Sequence, residues 1–167
     1  MPTLYADFLS QPCRAIEMFC RIADIEHEVH QLSLAKREHK TEEYMKNVHK
    51  FGQVPAWKED DGEVYTESAS ILRFLANSRG HTDLWPEDLV ARQKVDCALD
   101  FNACNVRPNM LPAIISVIAP KFFGAPEPTD KKKEEDAEKM ATACEKIQTL
   151  LGDNNYVAGD NLSLGDI

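Results

Sequence analysis

The period of the apolar positions changes several times along the chain, and each change marks an element. Thr3–Ala6 reads as a short strand, and Ser10-Gln11-Pro12 follows as a turn into a helix from Pro12 to about Ala23. Proline suits a first helical turn because its missing N–H has no partner to lose there. Within that helix Ile16, Phe19, Cys20 and Ala23 repeat at intervals of three and four. His27–Leu32 alternates and suits a second, partly exposed strand, and a polar stretch to Lys50 reads as loop and short helix. Val54-Pro55-Ala56-Trp57 and Val64-Tyr65 flank Glu59-Asp60-Asp61-Gly62, a tight Asp-Gly turn between β-prone runs, which is a hairpin signal. Thr66-Glu67-Ser68 then introduces a periodic helix carrying Ile71, Leu72, Phe74 and Leu75, with a glycine stop near Asn77–Gly80. The order is β-α-β-α-β-β-α, which fits a mixed sheet with helices packed on it.

Beyond His81–Pro86 the pattern is helical only. A segment starting near Glu87 carries Leu89, Val90, Val95, Leu99 and Phe101. Pro108, Pro112 and Pro120 are expected to bend or interrupt it, and Gly124–Thr129 closes it. A second helix is predicted over Thr129–Leu151, its apolar face made by Ala137, Met140, Ala141, Cys144, Ile147 and Leu151. A domain boundary is placed near residue 80, separating residues 1–80 from an all-helical 87–167. At the far end, Ser163-Leu164-Gly165-Asp166 is a helix-start capping signature of the S-x-x-D type with no helix predicted after it.

Composition narrows the function classes. The 167 residues are 43% hydrophobic and carry a formal net charge of −9. The acidity is spread, with 10 Lys+Arg against 13 Asp+Glu in residues 1–80 and 9 against 15 in the remainder. That balance argues against nucleic acid as the main partner, whose phosphates call for basic contacts. Five cysteines without a C-x-x-C pair suggest neither a disulfide framework nor a zinc site, so reduced thiols in the cytosol are the simpler reading and no metal is expected. The N-terminus carries Asp7 and no basic stretch before its apolar residues, unlike a signal peptide. The apolar run Met110–Pro120 is far short of the roughly 20 residues that span a bilayer, so no membrane association is expected.

Several segments carry candidate chemistry. Ser10 lies beside the unpaired N–H groups and positive dipole end of the first predicted helix, where a thiolate would be stabilised; an ordinary helix cap is the plain alternative. Glu67-Ser68 opens the third helix and offers a carboxylate site at Ser68, or simply another cap. Lys36, Arg37, His39 and Lys40 form a locally basic cluster opposed only by Glu38, which a solvated loop would also explain.

Taken together, Leu4-Tyr5, Ser10-Gln11-Pro12-Cys13-Arg14, Val54-Pro55, Thr66-Glu67-Ser68 and Leu84-Trp85-Pro86, followed by an all-helical half, resemble the glutathione transferases, and the S-Q-P-C-R run looks most like their theta class. The resemblance covers essentially the whole chain. It implies a thioredoxin-like, glutathione-binding N-terminal domain and an all-α substrate domain. Family members continue through several more helices, so it also implies that the second domain is incomplete here, as a fragment or a natural truncation.

By the same resemblance, Ser10 stabilises the glutathione thiolate, and Val54, before a cis-proline, pairs its backbone with the cysteinyl unit. Glu67 takes the ligand's ammonium and Ser68 a carboxylate, while His39 and Gln53 meet the glycine end. Arg107, Met110 and Ile114 line a hydrophobic substrate site, although such apolar helix positions are more often core. The chain departs from the family in having His49-Lys50 where Asn-Pro is usual, and Gln53 where a lysine is common.

The implied activity is conjugation of reduced glutathione, as co-substrate and without a further cofactor, to small apolar or halogenated electrophiles in detoxification, by a cytoplasmic homodimer. Two alternatives stand beside it. Ser10-x-Pro-Cys13 has the spacing of a C-x-P-C redox site lacking its first cysteine, which would suit a thiol–disulfide oxidoreductase. The same fold also serves as a non-catalytic assembly module.

Overall fold

The computed structural model describes residues 1–167. The chain divides into two compact units, Met1–Trp85 together with Ile167, and Pro86–Asp166. In the first, β1 (Thr3–Ala6), α1 (Gln11–Ile22), β2 (Glu28–Gln31), α2 (Glu42–Asn47), β3 (Ala56–Lys58), β4 (Val64–Thr66) and α3 (Ser68–Ser78) follow one another, with a 3-10 turn at Glu38–Lys40. This is the β-α-β-α-β-β-α order of a thioredoxin-like domain.

The four strands form one sheet in the order β2-β1-β3-β4. β1 and β2 are parallel, as a helical crossover requires, whereas β3 runs antiparallel to both β1 and β4. Alternation then sorts the side chains. Leu4 faces its partner Trp57 on one side of the sheet, and both are fully buried with Ala6. Ile16, Phe19 and Cys20 of α1 and Ile71, Leu72 and Leu75 of α3 are buried with them, and the two helices pack on each other. Each large side chain so buried contributes about 1.5–3 kcal/mol. Tyr5 points to the opposite face, where its ring meets Tyr44 of α2 edge-on at 6.0 Å. β2 lies at the sheet edge and all four of its residues are exposed.

The second unit holds α4 (Leu89–Phe101), α5 (Arg107–Phe123), α6 (Asp130–Leu151) and a 3-10 turn at Leu164–Asp166. Asp88 caps α4, accepting from the N–H groups of Val90 and Ala91 at 3.1 and 2.9 Å. Of the bend or interruption expected from the prolines, the interruption does not occur at Pro112 or Pro120. A π-helical turn, Asn102–Val106, joins α4 to α5, and the N–H of Arg107 reaches back five residues to the carbonyl of Asn102. The wider turn leaves room for the Pro108 ring in the first turn of α5. Pro112 and Pro120 lie inside that helix, which continues past both and packs along α6.

The inward face of α6 also differs from the expected one. Asp136 and Ala143 are buried, with Met140 and Ile147 half-buried, whereas Ala137, Ala141 and Cys144 are exposed. A polar contact shifts the face: the Ser116 hydroxyl of α5 donates to Asp136 at 2.6 Å, and Lys132 donates to the same carboxylate. The S-x-x-D signature closes as a box around the 3-10 turn, with the Ser163 N–H and hydroxyl both donating to Asp166, at 3.0 and 2.8 Å. Leu89 and Val90, apolar in the pattern, are exposed. No helix is long and apolar enough to cross a membrane.

The Lys132 ammonium, and after it the Ser116 hydroxyl, hold the Asp136 carboxyl below the usual aspartate range. A carboxyl depressed in the folded state stabilises the fold above its unfolded pKa and loses that contribution as the pH falls through its folded value. Asp136→Asn is therefore expected to be less stable than the parent chain at neutral pH, with the gap closing as the pH drops below the ordinary value of about 3.9. Urea denaturation across a pH series measures it; a gap independent of pH would assign the burial of Asp136 to packing alone.

Candidate functional site

The sheet register gathers the candidate residues. Tyr5, Ala56 and Thr66 are successive register partners and form one row across β1, β3 and β4. Just beyond this row β1 and β4 end while β3 begins, because β3 is antiparallel to its neighbours. Ser10 follows the end of β1 by four residues, Val54 precedes β3 by two, and Glu67 and Ser68 follow β4 directly. β2 ends at the same edge, since Gln31 is the partner of Ala6, and it leads into the loop that carries His39. Strands close in space thus deliver Ser10, His39, Gln53, Val54, Glu67 and Ser68 to one edge of the sheet.

Ser10 is the N-cap residue of α1, yet its side chain makes no capping hydrogen bond to the helix. The Cys13 thiol lies one turn on, near enough to feel the Ser10 hydroxyl. Cys13 is fully buried. Burial pushes its thiol up, outweighing the lowering by the Ser10 hydroxyl and the Asp7 backbone. Because the thiolate is the nucleophile, a buried thiol held protonated is a poor redox centre. This disfavours the oxidoreductase reading.

The Val54–Pro55 peptide bond is cis. The backbone N–H and C=O of Val54 have no hydrogen-bond partner within the chain, so both are available to a ligand. Gln53 is exposed, and its carbonyl accepts from the Tyr44 hydroxyl at 2.7 Å, tying the segment before β3 to α2. Gly52 has φ +57, and a Cβ there would lie 2.6 Å from the carbonyl oxygen of His39. That close approach holds the His39 loop against the residues leading to Val54. Lys40 adds a second tie, its ammonium donating to the Phe51 carbonyl at 2.9 Å.

Two histidines sit among these segments. His39 Nδ1 is buried without a hydrogen-bond partner. Burial, with Lys40 and Arg37 nearby, holds its pKa below the ordinary value, so the ring is neutral at physiological pH. His49 is buried and likewise lowered by burial, against an opposing pull from the charge of Glu67, which places that carboxylate within electrostatic range. The N–H of Phe51 donates to His49 Nδ1 at 3.3 Å, so the residue standing in place of the family's usual Asn organises the turn before β3.

Glu67 has φ 67 and ψ 109, a backbone state that non-glycine residues avoid at a cost of about 1–3 kcal/mol. The distortion exposes its side chain at the start of α3, where Ser68 is the first helical residue and presents its N–H at the positive end of the dipole. An anion and an adjacent cation would both be satisfied by this pair. The remaining three candidates lie in the second unit. Arg107 opens α5, and Met110 and Ile114 follow it at helical spacing, the first half-buried and the second exposed.

One residue at this edge was not singled out by the sequence reading. Asp7, immediately after β1, is buried, and both its carboxylate oxygens are engaged by backbone N–H groups of the surrounding loops. A lone acid after a strand gives no local signal of this, because one of its partners is Leu34.

A family model described as "Glutathione S-transferase, N-terminal domain" matches residues 10–78. Over 166 residues the chain is 34% identical to glutathione S-transferase theta-1 of Mus musculus, spanning 98% of this chain and 68% of that protein. The Homo sapiens theta-1 protein is 33% identical over the same shares. Among solved structures, human glutathione S-transferase T1-1 in its apo form superposes with a TM-score of 0.89 at 28% identity, covering 99% of this chain and 70% of that one. Human glutathione transferase theta-2, solved in complex with glutathione and an unknown ligand, gives a TM-score of 0.88 at 28% identity, covering 99% and 68%.

The thiols provide a test of the site's packing. Cys13 and Cys20 are buried, the latter pushed up to about 12 by burial, whereas Cys97, Cys104 and Cys144 are exposed. Iodoacetamide at neutral pH is expected to label the three exposed thiols of the native chain and all five after denaturation, counted by intact mass. Native labelling of Cys13 would show that the start of α1 opens in solution.

Proposed function

Because the chain belongs to the glutathione S-transferase family and is most like its theta class, we propose that it binds reduced glutathione at this sheet edge and transfers the glutathione sulfur to small apolar or halogenated electrophiles. The observation that carries this reading is the common row Tyr5–Ala56–Thr66, from whose edge Ser10, the unpaired backbone of Val54, Glu67 and Ser68 all emerge. A tripeptide with a carboxylate at each end, an ammonium and a central thiol matches the chemistry of that edge.

In this reading the Val54 N–H and C=O pair with the cysteinyl unit. Glu67 accepts from the ammonium, the Ser68 N–H and hydroxyl donate to the neighbouring carboxylate, and His39 and Gln53 meet the glycyl carboxylate. These contacts place the sulfur at the start of α1. There Ser10, whose hydroxyl is not spent on the helix, donates to it, and the dipole adds to the stabilisation. The thiol loses its proton to solvent and the thiolate attacks the electrophilic carbon. With a haloalkane, the C–S bond forms as the carbon–halogen bond breaks, and halide leaves with the electron pair. Arg107, Met110 and Ile114 supply contacts to the electrophile. The functional division is residues 1–80 for glutathione and 87–167 for the second substrate, in a cytoplasmic homodimer.

Ser10→Ala is expected to remove a charge-assisted hydrogen bond worth about 1.5–3 kcal/mol to the thiolate. That raises the apparent pKa of bound glutathione by about one to two units and slows conjugation at neutral pH by about tenfold to a hundredfold, with little change in binding. Conjugation of a small halogenated electrophile across a pH series measures both, and an unchanged profile would remove Ser10 from the mechanism. Cys13→Ala should leave conjugation intact; loss of thiol–disulfide exchange in this variant, with Ser10→Ala still conjugating normally, would replace the transferase reading with the redox one.

Glu67→Gly separates binding from strain. Glycine relieves the positive φ, so the variant is expected to unfold at about 1 kcal/mol higher free energy. It also loses the partner of the ammonium and should bind glutathione about tenfold or more weakly by calorimetry. If stability and affinity moved together, Glu67 would be a structural residue.

A further inference from the structure

The carboxylate of Asp7 joins the two loops that carry Ser10 and His39. Its Oδ1 accepts the N–H of Leu9 at 2.9 Å, one residue before Ser10, while its own carbonyl accepts the N–H of Ser10 at 2.9 Å. Its Oδ2 accepts the N–H of Leu34 at 2.7 Å, across 27 residues of sequence. Leu34 begins a tightly bonded loop. Its carbonyl accepts from Arg37, and the N–H of Ser33 donates to the Glu38 carboxylate at 2.7 Å, next to His39. Fixing Leu34 therefore fixes the approach to His39, just as fixing Leu9 and Ser10 fixes the start of α1.

A buried carboxylate is an expensive way to satisfy two amides, since a charge taken out of water is costly unless its partners are well placed. A chain needing only a stable strand end has cheaper solutions in backbone pairing. A single rigid acceptor does something those solutions do not, in that it carries the tie between the two loops beyond the last backbone pair, the Leu32 N–H on the Ala6 carbonyl at 2.8 Å. Asp7 also lies within electrostatic reach of both His39 and Cys13, on either side of the junction.

We infer that Asp7 is a positioning residue for glutathione, holding the His39 loop at a fixed distance from Ser10 so that the glycyl end and the sulfur of one ligand are engaged together. This rests on the glutathione-binding reading above, and it adds a residue that touches neither end of the ligand.

The test is Asp7→Asn in the full chain. The amide has one carbonyl acceptor for the two N–H groups of Leu9 and Leu34 and sets an NH2 group against the other, so it breaks the tie between the loops, while the backbone carbonyl at this position still accepts the Ser10 N–H. Reduced glutathione is expected to bind about tenfold more weakly, the order of one lost charge-assisted contact. KM for glutathione should rise in parallel while kcat at saturating glutathione stays within about twofold. In a His39→Ala background the same Asp7 change should have no further effect on affinity, because the loop it holds no longer contributes a contact. Additive losses in the double variant, or a fall in kcat with KM unchanged, would overturn the inference.

Should Asp7→Asn not fold, amide exchange on the unaltered chain decides. Saturation with reduced glutathione should slow exchange at Leu9 and Leu34 together, and an unaffected Leu34 would overturn the coupling. Failure of the unaltered chain to bind glutathione at all would instead overturn the functional reading, which separates the two.

Discussion

The antiparallel placement of β3 between β1 and β4 is the constraint on which the rest of the first unit depends. Leu4 opposite Trp57 commits both side chains to the buried face. A slip of one residue would turn Trp57 outward and bring Lys58 or Ala56 into its place, so the register is set by the largest buried side chain in the unit. The same pairing fixes where every loop at the sheet edge begins. With β3 reversed relative to its neighbours, its start lies beside the ends of β1 and β4. A turn preceding a strand and two helix starts following strands consequently converge. The geometry of the candidate site is a by-product of sheet packing.

That edge is also where polar groups are handled unusually. Elsewhere in the unit buried atoms are apolar or paired. At the edge there are a serine N-cap that does not cap, a valine backbone without partners, a histidine nitrogen buried alone and a glutamate in a strained conformation. Each departs from a local rule and has a small cost. Their coincidence on one side of the sheet is what sets this edge apart from scattered irregularity and marks it as the candidate site. Burial meanwhile keeps the Cys13 thiol and the His39 and His49 rings neutral, so the local field is shaped by Asp7, Glu67, Lys40, Arg37 and the two helix dipoles.

The second unit follows a different logic. α5 and α6 pair through a face that is partly polar, with Ser116 and Lys132 compensating the buried Asp136. Two prolines sit inside α5 without ending it. Each removes one ladder hydrogen bond, a loss that an isolated helix bears at about 3 kcal/mol or more. Packing along α6 supports the helix through both positions. The close approach of Gly165 to Ala98, where a Cβ would come within 2.7 Å, likewise shows the 3-10 turn seated tightly on α4.

How much of this was legible in the sequence depends on how far each cause reaches along the chain. The strand at Thr3–Ala6, the helix opened by Pro12, the Asp-Gly hairpin and the helix started by Glu67-Ser68 are encoded within windows of a few residues, by turn chemistry, capping and the period of apolar positions. The candidate residues of the first unit were not legible in the same way: Ser10, Glu67 and Ser68 stand at helix starts where a plain cap reads equally well, and His39, Gln53 and Val54 were singled out only by the family resemblance. Three other features were not legible. Asp7 receives an amide from 27 residues away, Asp136 displaces Ala137 from the inward face through a serine 20 residues away, and Pro112 is tolerated because a separate helix packs beside it. Local composition determined which elements form and where they stop. Tertiary structure alone decided which helix face turns inward and which acid becomes a buried junction, because those choices are set by hydrogen bonds and packing between segments that no local window contains.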